Sequence, residues 1–417
     1  MAITRIKVAN FKSFKELDLE LGKFNVIVGA NASGKSNFTQ IFKFIRDIVK
    51  EGLENAISIQ GSEYLTYMGT LFPKTLSIEC TYNFEDSVVI EVNDKVVLEI
   101  AKTITHDFAL RFEKPGGTFE IVNDKQDLKI NFLDKNKFEK DLNPQNNILG
   151  SGNVILTNNK GKLDKQVEKP DSLRTLSRED ILKYLFVGNE IPNDMILLQV
   201  RHLFFMSLGI SFSDFGLYDF DPKLSKSAIS MAGKFELEED GSNLSLVLKS
   251  ILENEERKRK FSNLMKDLLP FVEDISTDKF ADKSLLFKLK EKYFADTYFP
   301  ASFISDGTVN ISALLVALYF EKKGVTIIEE PERNIHPHLI SKIVDMMKDA
   351  SKNKQIIVTT HNPEVVKYAG IENLLLISRD KEGFSTVSRP KDNEKVRIFL
   401  KNELGLDDIY VQNLLED

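Results

Sequence analysis

Gly29-Ala30-Asn31-Ala32-Ser33-Gly34-Lys35-Ser36 decides the fold of this 417-residue chain. The octet fits G-x-x-x-x-G-K-[ST] at every fixed position, and each fixed residue type has a physical reason. Gly29 and Gly34 let the backbone turn so that several N–H groups point at one phosphate. Lys35 places a positive charge at the β- and γ-phosphates of ATP, and the Ser36 hydroxyl is a magnesium ligand. The helix that follows adds its N-terminal dipole. A glycine turn ahead of an ordinary helix is the plainer reading, and the context argues against it. Phe24 to Val28 is a short apolar run that predicts a buried strand. Asn37 to Val49 shows helical spacing through Phe38, Ile41, Phe42, Ile45 and Ile48.

A second buried strand is predicted in Val325-Thr326-Ile327-Ile328-Glu329-Glu330-Pro331-Glu332, and it ends in acids. Beside a phosphate loop, Glu329 reads as holding magnesium through its water shell. Glu330 then orients or deprotonates the attacking water. His361 follows a third apolar run, Ile356-Ile357-Val358-Thr359-Thr360. A polar residue at the end of a parallel strand is well placed to touch the γ-phosphate. His336 and His338 could ligate zinc with His361, but a phosphate site already accounts for acids and histidines in company, so no zinc is expected.

The remaining pattern frames these motifs. Ile3 to Ala9 alternates like a strand, and Leu76 to about Phe132 reads as short antiparallel strands with turns at Asn93-Asp94 and Gly116-Gly117. Asn136 to Val167 is rich in Asn, Lys and Asp and predicts a loop. Helical spacing covers Ser177 to Phe212 and Leu244 to Val272, a strand is expected at Leu285 to Leu289, and a helix at Val309 to Phe320. Hydrophobic residues make up 42% and charged residues 29%, a soluble globular balance. No apolar run is long enough to cross a bilayer, so no membrane partner is expected. The single cysteine, Cys80, points to a reducing cytoplasm. A net charge of −7 argues against a uniformly basic nucleic-acid binder and leaves a local basic groove open. The densest charge block, Glu255-Glu256-Arg257-Lys258-Arg259-Lys260, reads best as a solvated helical face, because Glu255–Arg259 and Glu256–Lys260 fall at i,i+4.

Taken together, the blocks resemble the ABC-type ATPases of the RecF, OLD (overcoming lysogenization defect) and structural-maintenance-of-chromosomes (SMC) kind. They are most similar to the compact bacterial RecF/OLD-like ATPases often called AAA family ATPases. The resemblance covers both ends of the chain. Ile6-Lys7-Val8-Ala9-Asn10-Phe11-Lys12-Ser13-Phe14 matches the group's first strand, which implies that Lys12 lies near the nucleotide. The phosphate loop carries the group's usual Asn31 and Asn37. Ile304-Ser305-Asp306-Gly307-Thr308 resembles the signature motif, Glu329-Glu330-Pro331-Glu332 with His336-Pro337 the Walker B motif and D-loop, and Thr359-Thr360-His361-Asn362-Pro363 the switch-histidine segment. Asp240-Gly241-Ser242-Asn243-Leu244 also resembles these compact members, with no role implied. Glu329 stands where many relatives have Asp, which keeps the charge and alters the magnesium geometry.

The resemblance implies a set of roles. Glu330 and His361 are catalytic. Lys12, Gly29, Asn31, Ala32, Ser33, Gly34, Lys35, Ser36, Asn37, Ser305, Asp306 and Gly307 bind ATP. Ser36 and Glu329 hold Mg2+. Gln60, in Ile57-Ser58-Ile59-Gln60-Gly61, is the best-placed Q-loop glutamine for both nucleotide and metal, beside the plainer reading of an exposed turn residue. In this family the signature serine contacts ATP held by the opposite subunit, so two copies sandwich two ATPs. The expected fold is α/β, an ABC-type head with a P-loop mixed sheet, an antiparallel β lobe and an inserted, mostly helical arm. Residues 1–135 and 284–417 form the head and 136–283 the arm. That insertion of about 150 residues has Pro170, Pro192, Pro222 and Pro270 and no sustained heptads, unlike chromosome-organising relatives. About 55 residues follow His361, too few for the TOPRIM nuclease of full-length OLD enzymes, so any nuclease or toxin is expected on a separate effector protein. The implied function is ATP hydrolysis controlling such an effector in bacterial antiphage defence. The rivals are a RecF-like DNA repair enzyme, with DNA as direct partner, and an ATP-dependent scaffold with incidental hydrolysis.

Overall fold

The computed structural model describes residues 2–67, 73–84, 88–114, 116–185, 188–199, 215–280, 284–294, 297–394, 396, 405–412 and 414–415. The chain divides into two compact units. One comprises residues 1–21, 37–213 and 379–386, the other 22–36, 214–378 and 387–417.

The second unit holds the three motif strands. Phe24–Val28 is buried at all five positions and Gln355–Thr360 at all six. Strands covered on both faces read as continuous apolar runs, which is why they stand out in the sequence. Within this sheet the order is Phe215–Tyr218, Val325–Glu329, Gln355–Thr360, Phe24–Val28, Leu374–Arg379. The pairings are parallel, with Glu329 opposite Thr359 and Thr360 opposite Val28. Adjacent parallel strands end side by side, so the residues just beyond Val28, Glu329 and Thr360 share one edge. The helix Asp306–Tyr319 is buried at every position from Thr308 to Leu318, as an all-round apolar helix must be. It packs with helices Glu255–Leu268 and Ile340–Ala350. A second sheet orders Ile229–Ser230, Ser284–Glu291 and Val272–Phe280, with Tyr298–Pro300 on Ser284–Glu291. Asn254 caps Glu255–Leu268, accepting from the Arg257 N–H. Arg257 and Lys260 in the charge block lie over the Phe320 ring at 5.7 and 5.6 Å. Asn243 gives the Asp240–Leu244 stretch a structural role. Its carboxamide donates to the Lys234 and Glu236 carbonyls and accepts from the Glu238 N–H, closing a loop ahead of helix Leu244–Leu252.

The first unit is built on one antiparallel sheet, in the order Phe14–Glu20, Ala2–Phe11, Lys74–Asn83, Val96–Phe112, Phe119–Asp134, Ile148–Asn159, Lys162–Glu168. Alternation decides its faces: Leu76, Ile78, Cys80 and Tyr82 are buried in Lys74–Asn83. Burial holds the Cys80 thiol well above its ordinary range. Helix Lys35–Glu51 begins in the second unit and continues here, where Phe44 meets Phe11 at 6.0 Å and Phe38 meets Phe14 at 6.4 Å.

Two expectations change. Asn136–Val167 is not a loop. Ile148–Asn159 and Lys162–Glu168 pair as strands and extend the sheet across residue 135. Only Val154 and Leu156 of the first, and Leu163 and Lys165 of the second, are buried, so the apolar alternation is too sparse to stand out. Among the described residues, the helix expected from Ser177 to Phe212 is seen at Arg178–Leu185, with a 3-10 turn at Leu197–Gln199. The stretch from 200 to Phe212 lies outside the described residues.

Candidate active site

The phosphate loop follows Val28 without slack. A Cβ on Gly29 would fall 2.3 Å from the Ile377 carbonyl oxygen, so the first motif position admits no side chain. Gly34 (φ 118°) and Ala32 (φ 62°) occupy the positive-φ region, which glycine enters freely and alanine only under strain. Ser33 N–H donates to the Ala30 carbonyl at 3.2 Å, and the side chain of Asn31 is exposed. Lys35 Nζ donates to the Gly29 and Ala30 carbonyls at 2.8 and 3.0 Å, so the ammonium lies across its own loop. Burial lowers its pKa, while Glu330, Glu329 and Glu332 pull it upward. These opposing influences place the three acids within electrostatic reach of the motif lysine.

Ser36 Oγ sits 3.5 Å from Glu329 Oε2. That is long for a hydrogen bond, and it brings a hydroxyl and a carboxylate oxygen to the same side of the loop. A hydroxyl and a carboxylate are the donor types magnesium takes, so the pair fits the ion. Glu330 is a backbone outlier. Its φ of 46° puts a non-glycine residue in the left-handed region, and its N–H donates to the Thr359 carbonyl at 2.9 Å. Such strain costs on the order of 1–3 kcal/mol and persists where the surroundings enforce it. Here it turns both acids at the strand end toward one edge. Glu330 Oε1 meets His361 Nδ1 at 2.8 Å. Its Oε2 lies 3.3 Å from Arg333 Nη2, and Arg333 Nη1 reaches Asp219 Oδ1 at 2.9 Å.

Glu332 is buried, at 7% exposure. Thr360 Oγ1 donates to its Oε1, while its Oε2 has no hydrogen-bond partner among the described residues. Burial raises its pKa, opposed by the Thr360 bond. Tyr410 meets the backbone of Gly29. Burial raises the phenol's pKa and that hydrogen bond opposes it.

The signature residues make contacts of their own. Ser305 caps helix Asp306–Tyr319, accepting from the Thr308 N–H at 3.2 Å. Asp306 pairs with Lys226. A Cβ on Gly307 would come within 2.5 Å of the Asn334 carbonyl oxygen, so the helix start rests on the loop that follows Glu332. His336 and His338 bring their Nδ1 atoms to 2.6 Å, and no group of three metal-ligating side chains occurs among the described residues.

Three other expected site residues belong to the first unit. Lys12 has φ 48°, donates its N–H to the Leu65 carbonyl at 2.8 Å and lies 5.9 Å from the centre of the Phe11 ring. Burial, then Lys43, lowers its pKa. Gln60 is the last residue of helix Leu53–Gln60 and is half-exposed. Asn37 Nδ2 donates to Ser13 Oγ at 2.8 Å. Contacts therefore join Ser36 to Glu329 and His361 to Glu330 at the ends of adjacent parallel strands, within electrostatic reach of Lys35. Sequence reasoning gave no role to Arg333, Asp219, Asn310 or Tyr410. Arg333, at i+3 from Glu330, was the one with a readable signal.

Comparisons with known proteins bear on this geometry. Solved SMC heads align at low identity. The crystal structure of an SMC head bound to the C-terminal winged-helix domain of ScpA is 17% identical at TM-score 0.49, covering 93% of this chain and 98% of that one. Endonuclease GajA of Bacillus cereus (strain VD045) is 20% identical over 378 residues, 88% of this chain and 56% of GajA, so the chain spans little more than half of that relative. Septu protein PtuA of Bacillus mycoides (strain KBAB4) is 30% identical over 108 residues, 23% of this chain and 15% of PtuA. No helix among the described residues is long and apolar enough to cross a membrane. The family model described as "AAA domain, putative AbiEii toxin, Type IV TA system" matches residues 24–95 and 201–367, more than half of the chain and all three motif strands. The chain belongs to that family of ATPase domains, in agreement with the RecF/SMC-like, ABC-type motifs that it carries.

Proposed function

We propose that two copies of this chain sandwich two ATP molecules and hydrolyse them, and that the cycle controls a separate effector protein in bacterial antiphage defence. One observation carries the chemical part: Lys35, Ser36, Glu329, Glu330 and His361 meet at the ends of adjacent parallel strands. Lys35 leaves the Gly29 and Ala30 carbonyls for the β- and γ-phosphates, and the Ser36 hydroxyl and Glu329 carboxylate hold Mg2+. Bound there, magnesium neutralises charge on the phosphate oxygens. Glu330 orients a water against the γ-phosphorus and accepts its proton as the bond to the β-phosphate oxygen breaks, giving ADP and phosphate. His361, oriented through Nδ1 by Glu330, presents its other ring nitrogen to the γ-phosphate. Ser305 and the N–H groups beside it form the anion site for the nucleotide on the second copy.

The similarity to Endonuclease GajA and Septu protein PtuA supports the defence reading and a nuclease or toxin as effector. A cytoplasmic home accords with the single cysteine. Phosphate release with ATP and magnesium, followed across protein concentration, tests the enzymatic part. Specific activity should rise with concentration, and constant activity would contradict the paired sites. Affinity purification with mass spectrometry tests the partner. A co-purifying nuclease or toxin supports control of an effector, whereas recombination factors would favour a DNA repair role.

A further inference from the structure

Both carboxylate oxygens of Glu330 are engaged. His361 Nδ1 takes Oε1 at 2.8 Å, and Arg333 takes Oε2 through Nη2 at 3.3 Å and Nε at 3.4 Å. A general base needs a free lone pair to accept from water, and the two Arg333 donors fill both lone-pair positions of Oε2 while His361 crowds Oε1. The guanidinium is held more firmly on its other side, where Nη1 meets Asp219 Oδ1 at 2.9 Å. Asp219 itself is fixed by its N–H to the Glu239 carbonyl at 2.9 Å. Arg333 can therefore leave Glu330 and keep its anchor.

The backbone of Arg333 is tied elsewhere. Its carbonyl accepts from Asn310 Nδ2 at 2.8 Å. Asn310 is buried, at 4% exposure, in the second turn of the signature helix, and its Oδ1 has no partner among the described residues. The start of the same helix presses on the next residue, since Gly307 has no room for a Cβ against the Asn334 carbonyl. Asn334 is held at φ 63°, a conformation that costs energy outside glycine. A displacement of the helix start thus reaches the backbone of Arg333 through the buried Asn310 carboxamide and the Gly307–Asn334 contact, and the Arg333 side chain carries it to the guanidinium.

We propose that Arg333 is a positioning residue that holds Glu330 away from water in the separate subunit, and that the signature helix withdraws it when Ser305 engages nucleotide on a second copy. The inference rests on the paired-site reading above. It adds that the signature acts on the subunit that carries it as well as on the opposing phosphate, so that closure switches on the base in both sites together.

The test is steady-state phosphate release at saturating ATP and magnesium, across protein concentrations that span dimer formation. In Arg333→Ala the basal turnover at the lowest concentrations should rise about two- to fivefold, the scale of a half-exposed ion pair. The gain should appear in kcat with KM for ATP unchanged, and the dependence on concentration should flatten. Asp219→Asn loosens the anchor, keeps the guanidinium and should move activity the same way by less. Asn310→Ala cuts the link to the helix and should leave turnover low at high concentration, with the basal rate unaltered. Loss of activity in Arg333→Ala at every concentration, restored by Arg333→Lys, would overturn the proposal by making the charge a requirement of catalysis. Activities equal to wild type in both Arg333→Ala and Asp219→Asn would overturn it by making the contact incidental. A wild-type chain whose specific activity ignores concentration contradicts the paired-site reading itself, whereas a concentration-dependent wild type matched at every concentration by Arg333→Ala and Asp219→Asn removes the Arg333 role alone.

Discussion

Replacing Glu330 by Gln separates chemistry from binding. The amide keeps the size of the side chain and removes its negative charge. It offers one acceptor and one donor group, whereas the carboxylate faces a ring nitrogen of His361 at 2.8 Å and the Arg333 guanidinium at 3.3 Å. The amide can satisfy one of these neighbours and turns a donor toward the other. Glu330 is 27% exposed on its side chain and His361 54%, so solvent screens the mismatch. The cost to stability should stay under about 1 kcal/mol, a melting shift of roughly a few degrees at most. The effect on the chemical step is larger. Loss of a general base slows a reaction by about a hundred- to ten-thousandfold, a rise of about 2.7–5.4 kcal/mol in the barrier. ATP binding should survive, because Lys35, Ser36 and Glu329 are untouched. Single-turnover phosphate release measures the step, and light scattering after size exclusion with ATP and magnesium should show an accumulated dimer. Turnover at the wild-type rate would refute the assignment and point to Glu332, whose buried Oε2 has no partner among the described residues.

Other perturbations separate the remaining elements. Lys35→Ala removes the charge aimed at the β- and γ-phosphates and should abolish ATP binding or turnover by calorimetry and phosphate release. Glu329→Gln should raise the magnesium concentration needed for half-maximal activity before it slows the reaction at saturating magnesium. Asn243→Ala deletes three hydrogen bonds of a buried carboxamide and should lower stability by roughly 1–3 kcal/mol in urea unfolding, without removing a nucleotide contact. Burial pushes the Asp124 carboxyl up to about 7, against hydrogen bonds from Asn158 and the Leu197 N–H. The folded chain then holds a proton that the unfolded chain has released, so this group's contribution to stability falls as pH rises from about 4 to about 7. Asp124→Asn should flatten that dependence in thermal melts.

The parts legible from sequence are those where a local stretch carries its own constraint. Phe24–Val28, Val325–Glu329 and Gln355–Thr360 are buried on both faces at all but Glu329 and so are predominantly apolar, with Ile327-Ile328 and Ile356-Ile357-Val358 at the centres of the latter two. Glycine at 29 is set by the Ile377 carbonyl, which no side chain at that position could clear. What was hidden depends on distant partners. Ile148–Asn159 and Lys162–Glu168 are strands because a neighbouring ladder continues into them, and Asn, Lys and Asp occupy their open faces. Asp219 meets Arg333 because Phe215–Tyr218 lies beside Val325–Glu329, a pairing of segments more than a hundred residues apart. The strain at Glu330 is likewise a property of the folded loop. The sequence placed two acids at a strand end, and the backbone turn that aims them was visible only in three dimensions.

The central claim is that each hydrolytic site takes its phosphate loop from one copy and its signature from another. Mixing two inactive variants tests this most directly. Ser305→Arg keeps the phosphate loop and puts bulk and charge where the opposing phosphate would dock, while Lys35→Ala keeps the signature and loses the phosphate lysine. A mixed dimer has one site with both defects and one with neither. Phosphate release from the mixture should recover toward half the wild-type activity per mixed dimer, whereas each variant alone stays inactive. If the mixture remains as inactive as its components, or if Ser305→Arg alone hydrolyses ATP at the wild-type rate as a monomer, the sites are not shared between copies.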